Sequence, residues 1–573
     1  MSCVSKRVYV DVIIPVHNAS ATIEETLQSV FRQSVPECWC TTSDLKEKDD
    51  TPFGNSIQVL DTYKRFSLNE IDTIHLTMCC YDDGSTDDSW NILKRMKQTH
   101  EERSNLNRHS NTTTNTHKFN INMMIASNAE GIAQGAAAAR NRAVELQKYL
   151  QVDDTSHRYL CFIDSDDIMH EHRVAHQLAV MLAMTTEEQN ATLLGCTFDR
   201  IPKDSTWHYT KWANGLSDTR LLLERYREIT VIQPTWLMTR SRFEMLGGYI
   251  ESSQDAVSHP VCNNVYRLVH SEYDTIQTLK LAEDLRFFHA HLSFPYRNES
   301  CAQVPISTSP DSKMHTPTSL SGTIKLVRTS PPLMTYRHRE GQSQSSSTSR
   351  KLLLHLRAKA FLDIIVRNNS RWLYDPTRTH VSNGFVIWGA GRDGKDFFKS
   401  LSHDDKCHVR CFVDVDDKKI QSGYYMVPFQ TNDDRPYSCT STAKQYKIPI
   451  VHYSMLIRDE TLRHQVQHEY LHEDRNNAME STIGKITKCN PQTKPMSSKL
   501  SEEPPYKKSK NGAFVNKKLH AIPKKDEENY SLMKLLPSLP VVVCVAMYRS
   551  NGILERNVKS IGRQEGVDLW HFS

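Results

Sequence analysis

The residues best placed to do chemistry lie in 159–173, YLCFIDSDDIMHEHR, where an apolar run of strand character ends in three carboxylates, Asp164, Asp166 and Asp167. Carboxylates two apart at the carboxyl end of a buried strand are poor packing groups, but they can hold a divalent cation against a diphosphate. A polar helical pattern follows, carrying His170, His172 and His176 at a spacing that suits metal ligands and suits a solvated helix face better. Other acids occupy comparable positions. Asp82 and Asp83 close the apolar run IHLTMCCY, and Glu283 and Asp284 open the helical pattern EDLRFFHAHL. In a parallel sheet the strand ends share one edge, so these groups can converge. Converging carboxylates repel one another unless a cation neutralises them, and a spare carboxylate can serve as general base. Taken singly, each pair suits a solvated turn or a helix cap better than a site; their joint order and spacing favour a site.

The elements that must carry these residues can be read from periodicity. Residues 8–15, VYVDVIIP, form a β-rich run that breaks at Pro15. His17 and Asn18 then make a turn, and Ile23, Leu27, Val30 and Phe31 recur at helical spacing. The pattern repeats with strand 74–81 before a stripe of Trp90, Leu93 and Met96, and with strand 119–126 before Gly131, Gly135 and a helix beginning near Ala136. The run ending at Asp164 precedes a helix through Val174, Leu178 and Met181. Four such alternations predict an α/β fold with a parallel sheet. Farther on, FVIWGAGRDGKDFFKSL reads as strand, glycine-rich turn and helix, followed by CFVDVDDKKI, IPIVHYS and LPVVVCVA as further strands.

Composition sets outer limits. A chain of 573 residues exceeds one core, and hydrophobic content of 38% with mean hydropathy of −0.56 leaves part of it without enough apolar surface to pack. The net charge of +4 neither requires nor excludes an RNA partner. The 14 cysteines lack paired CxxC spacing and several fall in apolar runs, which predicts buried thiols. The N-terminal residues run straight into a strand pattern, and no apolar run approaches the ~18 residues of a membrane span. These features predict a soluble, cytoplasmic protein with no membrane partner; oligomeric state is not legible. The domain expectation is a first domain over 1–350 with insertions at about 36–73, 101–118, 252–277 and 298–322. A helical linker over 351–380 follows, then a smaller Rossmann-like α/β domain over 381–573 with a disordered insertion at about 455–536.

The segments DVIIPVHNA, DDGSTDD, NAEGIAQGAAAARN, FIDSDD and AEDLRF resemble, in order, the motifs of family 2 glycosyltransferases of the GT-A fold, over roughly residues 8–339. The resemblance implies an inverting, metal-dependent enzyme that takes a UDP-sugar donor. Pro15, His17, Asp83, Arg140 and Asp164 would then bind the nucleotide-sugar, Asp166 with Asp164 would hold Mn²⁺ or Mg²⁺, and Asp284 beside Glu283 would be the catalytic base. His338 departs from the family's end motif, so a ligand role does not carry over to it. The second domain and the ending GVDLWHFS resemble a branch of the family understood to transfer galactose to queuosine in tRNA. That implies a tRNA acceptor, with Trp207, Tyr209, Trp212 and Trp236 as candidate base stackers or packing groups, and a lysine-rich stretch at 507–518 near RNA backbone. Transfer of N-acetylglucosamine to a β-galactoside is the alternative within the class. A non-catalytic nucleotide-sugar or RNA-binding protein is the alternative outside it.

Gly389, Gly391 and Gly394 with Asp414 about twenty residues on fit the dinucleotide fingerprint. No dehydrogenase catalytic set accompanies them, so NAD binding is not expected, and packing or RNA contact is the reading preferred for this loop.

Overall fold

The computed structural model describes residues 7–36, 71–109, 119–148, 157–251, 278, 281–293, 324–338, 348–374, 383–428, 445–468, 532–545 and 552–572. The chain divides into two compact units, Met1–Asn368 and Asn369–His571, with Phe572 grouped in the first and Ser573 in the second.

The first unit is built on an eight-stranded sheet. Strands β1 (Arg7–Val16), β2 (Thr73–Asp82), β3 (Phe119–Ser127) and β4 (His157–Phe162) pair in parallel in the order β3-β2-β1-β4. Both faces of β1 and β4 are covered, which is why their sequences read as continuous apolar runs. Val10, Val12 and Ile14 with Tyr159 and Cys161 enter one core beside Leu27, Val30 and Leu178. Ile13 with Leu160 and Phe162 enters the opposite one beside Trp236, Phe243 and Phe287. The sheet continues through β7 (Leu237–Thr239), β6 (Thr192–Ile201), β8 (Lys325–Arg337) and the two-residue β5 (Ile168–Met169); β7 is antiparallel to both β4 and β6. Four parallel β/α steps followed by a mixed-direction half give the α/β fold that the alternating pattern predicts.

The second unit holds a six-stranded sheet from β9 (Phe385–Trp388), β10 (Val409–Asp414), β11 (Tyr424–Pro428), β12 (Gln445–His452), β13 (Val541–Val543) and β14 (Leu569–His571), in the order β11-β12-β10-β9-β13-β14. Apart from the antiparallel edge strand β11, its pairs are parallel. The reversal of strand order lies between β9 and β13, as in doubly wound sheets.

Three expectations about the polar segments need correction. The helix Ser89–His109 runs through the first half of the expected 101–118 insertion. Side-chain pairs one turn apart, Lys97 with Glu101 and Gln98 with Glu102, offset its lack of apolar residues, and His100 stacks on Phe31 at 4.7 Å. The expected linker begins as the helix Arg350–Phe361, which buries Leu354, Leu356, Ala358 and Phe361 within the first unit and is therefore part of its core. The expected insertion from about 455 opens with a structured turn, Tyr453–Leu456, and a helical segment at 460–468, and Leu536 at its far end is buried. The other expected insertions fall largely, and the lysine-rich stretch at 507–518 wholly, outside the described residues. Among the described residues no helix is long and apolar enough to cross a membrane, and the described cysteines are free thiols, all buried except the half-buried Cys407.

Candidate active site

The carboxyl ends of β1, β2 and β4 open on a cavity of about 630 Å³, lined among others by Pro15, His17, Asp83, Arg140, Asp164, Asp166, Glu283 and Asp284. All eight of these were singled out from the sequence, and the topology brings them together because parallel strands place their loops on one edge.

The β1 and β2 loops lock together. His17 Nδ1 donates to the Asp83 carbonyl at 3.0 Å and its Nε2 accepts from Asn18 Nδ2, so the two contacts together assign the proton to Nδ1. Asn18 takes a positive φ of 49° and its side-chain oxygen accepts the Thr86 N–H. Asp83 lines the cavity, but its carboxylate is already engaged: Oδ1 accepts the Gln134 N–H at 2.9 Å and Oδ2 accepts the Gly135 N–H at 2.7 Å. The loop after β3 is thereby held against the turn after β2. Gly84, at φ +71°, makes that approach possible, since a Cβ there would lie 2.9 Å from the Gly131 carbonyl carbon.

Arg140, from the helix Ala136–Glu145, organises the centre. Its Nη2 donates to Asp164 Oδ1 and its Nη1 to Glu283 Oε1, both at 2.8 Å, and these two carboxylates hold the buried guanidinium's pKa above its ordinary value despite desolvation. One cation thus ties the end of β4 to the start of the helix Glu283–Ser293. Ala282, at φ 55°, turns the chain into that helix. Among the described residues, Asp284 accepts only the Leu285 N–H, at 2.7 Å. Burial first, and then the neighbouring Glu283 charge, push its pKa up to about 7, against the lowering effects of the Leu285 N–H and Arg140. A carboxylate with a pKa near neutrality suits general base catalysis.

The acid turn itself is anchored by its backbone, with the Ser165 carbonyl accepting from Thr22 and Thr26 Oγ1. Asp167, which the sequence reading leaves without a role, is fully buried and accepts the Arg337 N–H at 2.9 Å, joining the turn to the end of β8. Its Oδ2 has no hydrogen-bond partner, and burial together with Asp164 and Asp166 drives its pKa well up. Among the described residues no group of three or more His, Cys, Asp or Glu is arranged to hold a metal ion. A cation of the Mg²⁺ type needs only one or two carboxylates and completes its shell with water and ligand phosphates, so Asp164 and Asp166 are the candidates to hold one. Asp164 commits one oxygen to Arg140, and the crowding of three carboxylates is the kind of repulsion that a divalent ion offsets. The histidine trio does not form such a group: His172 Nδ1 contacts Ser34 Oγ, and the half-buried His176 has its pKa pushed down to about 4 by desolvation and by His172 and His170.

The aromatic expectations divide. Trp236 is not a stacking platform. It is fully buried, donates to the Val231 carbonyl at 2.7 Å and packs against Phe162, Phe287 and Phe288. Trp212 is committed as well, donating to Glu224 under the Arg227 guanidinium. Trp207 is 53% exposed and Tyr209 lines the cavity. The sequence offers no signal for Arg200 and Glu228 and no site role for Tyr336, and all three also line the cavity. The β6–β8 register, with Arg200 opposite Tyr336, brings two of them together, and a local motif carries no trace of it.

In the second unit the fingerprint residues cluster as expected, but Asp414 is occupied. Its carboxylate accepts the Ala390, Val415 and Asp416 N–H groups and pairs with Lys419 at 3.1 Å. Gly394 serves close packing, since a Cβ there would lie 1.9 Å from the Gly389 carbonyl oxygen.

No protein-family model matches the chain. Similar solved structures include Staphylococcus aureus TarS 1–349 in complex with UDP-GlcNAc, at 14% identity over 63% of this chain and 67% of that one, with a TM-score of 0.30. TarS 1–349 in complex with UDP matches at 13% identity over 70% and 83% of the respective chains, also with a TM-score of 0.30. A further S. aureus TarS structure matches at 13% identity and a TM-score of 0.28; this chain covers 40% of it.

Proposed function

We propose that this chain is an inverting, metal-dependent family 2 glycosyltransferase of the GT-A fold that transfers galactose from UDP-galactose to queuosine in tRNA. The observation that carries the reading is the Arg140 bridge between Asp164 and Glu283, which sets Asp284 with its raised pKa on the same cavity as the acid turn. The order of the sequence motifs supports the family, and the second unit's sequence supports the branch.

In this reading Asp284 takes the proton of an acceptor hydroxyl. The oxygen forms its bond to the anomeric carbon as the carbon–phosphate oxygen bond breaks on the opposite face, and UDP leaves with the electron pair. When bound, a divalent cation at Asp166 and Asp164 supplies neutralisation of the diphosphate charge. Arg140 is a positioning residue that keeps Glu283, and the helix start behind it, in register with the turn.

The test mixes the purified protein with UDP-galactose, Mn²⁺ and queuosine-bearing tRNA and measures tRNA mass. A gain of one hexose is expected. No gain on tRNA, with transfer to a galactoside from UDP-N-acetylglucosamine, would refute the assignment.

A further inference from the structure

We propose that Arg200 is a specificity-determining residue that binds a phosphodiester of the acceptor strand, an inference that rests on the proposed transfer to RNA and names the contact which selects it. Arg200 lies near the end of β6 and lines the cavity. Its Nε donates to Thr210 Oγ1 at 2.7 Å, and its guanidinium sits over Tyr336, Phe198 and Tyr209, at 4.5, 5.3 and 5.8 Å from the ring centroids. No carboxylate among the described residues forms an ion pair with it, whereas Arg140 in the same cavity has two. The three rings and Thr210 fix the orientation of the guanidinium and leave its terminal nitrogens without a hydrogen-bond partner among the described residues. Such a preorganised fork matches the two oxygens of a phosphate.

Its place in the sheet indicates which phosphate. His17, Asp83 and Asp164, the groups assigned to the donor, follow β1, β2 and β4, while Arg200 stands on β6, beyond β7 from β4. Tyr209, which contacts Arg200, is within electrostatic reach of Asp284 and Glu228. On its other side Arg200 lies opposite Tyr336, and β8 pairs there with β5 directly after the acid turn. Arg200 therefore stands between that turn and the side of the cavity that Tyr209 shares with Asp284, where the acceptor enters in the proposed reaction. Asp167 acts on it through space without an ion pair, and Glu228 lies 3.7 Å from Arg357.

The full chain would be treated with phenylglyoxal, and the labelling rate of Arg200 followed by peptide mass spectrometry. It would be measured free, with UDP and Mn²⁺, and with a queuosine-bearing anticodon stem-loop RNA added. RNA is expected to slow labelling about tenfold, and UDP to leave it unchanged. Protection by UDP alone would assign Arg200 to the donor diphosphate and overturn the proposal, as would an unchanged rate with RNA. In transfer assays Arg200→Gln should raise the KM for the stem-loop about tenfold at unchanged kcat, with Arg200→Lys recovering part of the loss. Calorimetry with UDP on the unmodified protein separates the two levels: absence of UDP binding refutes the glycosyltransferase reading itself, whereas UDP binding without RNA protection refutes only this contact.

Discussion

At the scale of single residues, Asp284 carries the sharpest consequence. A general base must be deprotonated to act, and a carboxyl with a pKa of about 7 is deprotonated only above neutrality. The rate of transfer is therefore expected to rise with pH through an inflection near 7 and then level, where an ordinary carboxylate base would already be level by pH 6. Asp284→Asn should lower kcat by about 10²–10⁴-fold while UDP affinity, read by calorimetry, stays within a few-fold. Asp166→Ala should behave differently, weakening UDP binding in the presence of Mn²⁺ and losing the dependence of that binding on the metal. Equal loss of UDP affinity in both variants would contradict the division of roles. These acids were legible because each closes an apolar run or opens a helical stripe, positions where a carboxylate has no packing reason to be. Arg200 was not legible, because its environment is assembled from Tyr209 and from Tyr336 on β8, and only the register of two strands brings these together.

At the scale of elements, buried ion pairs hold strand ends to helices. Asp11 on β1 is buried and pairs with Arg158 of β4 at 3.2 Å and with Arg240 at 3.1 Å. Asp11→Ala would leave the buried Arg240 guanidinium without this partner, although its Glu244 contact remains. Loss of about 3–5 kcal/mol of unfolding free energy, measured by urea denaturation, is the expected result. Arg140→Gln should cost stability on the same scale and also lower kcat, because it frees the helix start that carries Glu283 and Asp284 from the β4 end. The strands themselves were readable as apolar runs with period-two partition between two cores. Residues 101–109, expected to begin an insertion at about 101–118, continue a helix instead, because that helix is stabilised by side-chain pairs one turn apart and by His100 on Phe31, and neither registers as an apolar stripe. Trp236 stays open in the sequence for the complementary reason: an aromatic near a predicted cleft can serve packing or stacking, and the cluster of Phe162, Phe287 and Phe288 that decides for packing is drawn from other elements.

At the scale of the whole molecule, the two units differ in what their strand ends have been left to do. In the first, the edge of the sheet opens on a cavity where Asp284 and the acid turn are arranged around space. In the second, the acid at the corresponding strand end, Asp414, is engaged by its own unit. The strand order reverses between β9 and β13, where doubly wound sheets bind nucleotides. Yet Asp414, the acid that would have to hold a ribose hydroxyl, accepts three backbone N–H groups and pairs with Lys419. Binding a ribose there would require breaking that arrangement, and a buried carboxylate loses on the order of 1–3 kcal/mol for each such charge-assisted contact given up. Titration of NAD into the full chain is therefore expected to give no heat of binding. Asp414→Asn should destabilise the second unit, lowering the unfolding midpoint of its transition, rather than alter any nucleotide affinity. A micromolar NAD isotherm abolished by Asp414→Asn would show instead that the loop opens to a ligand, and would make the second unit a binding site in its own right.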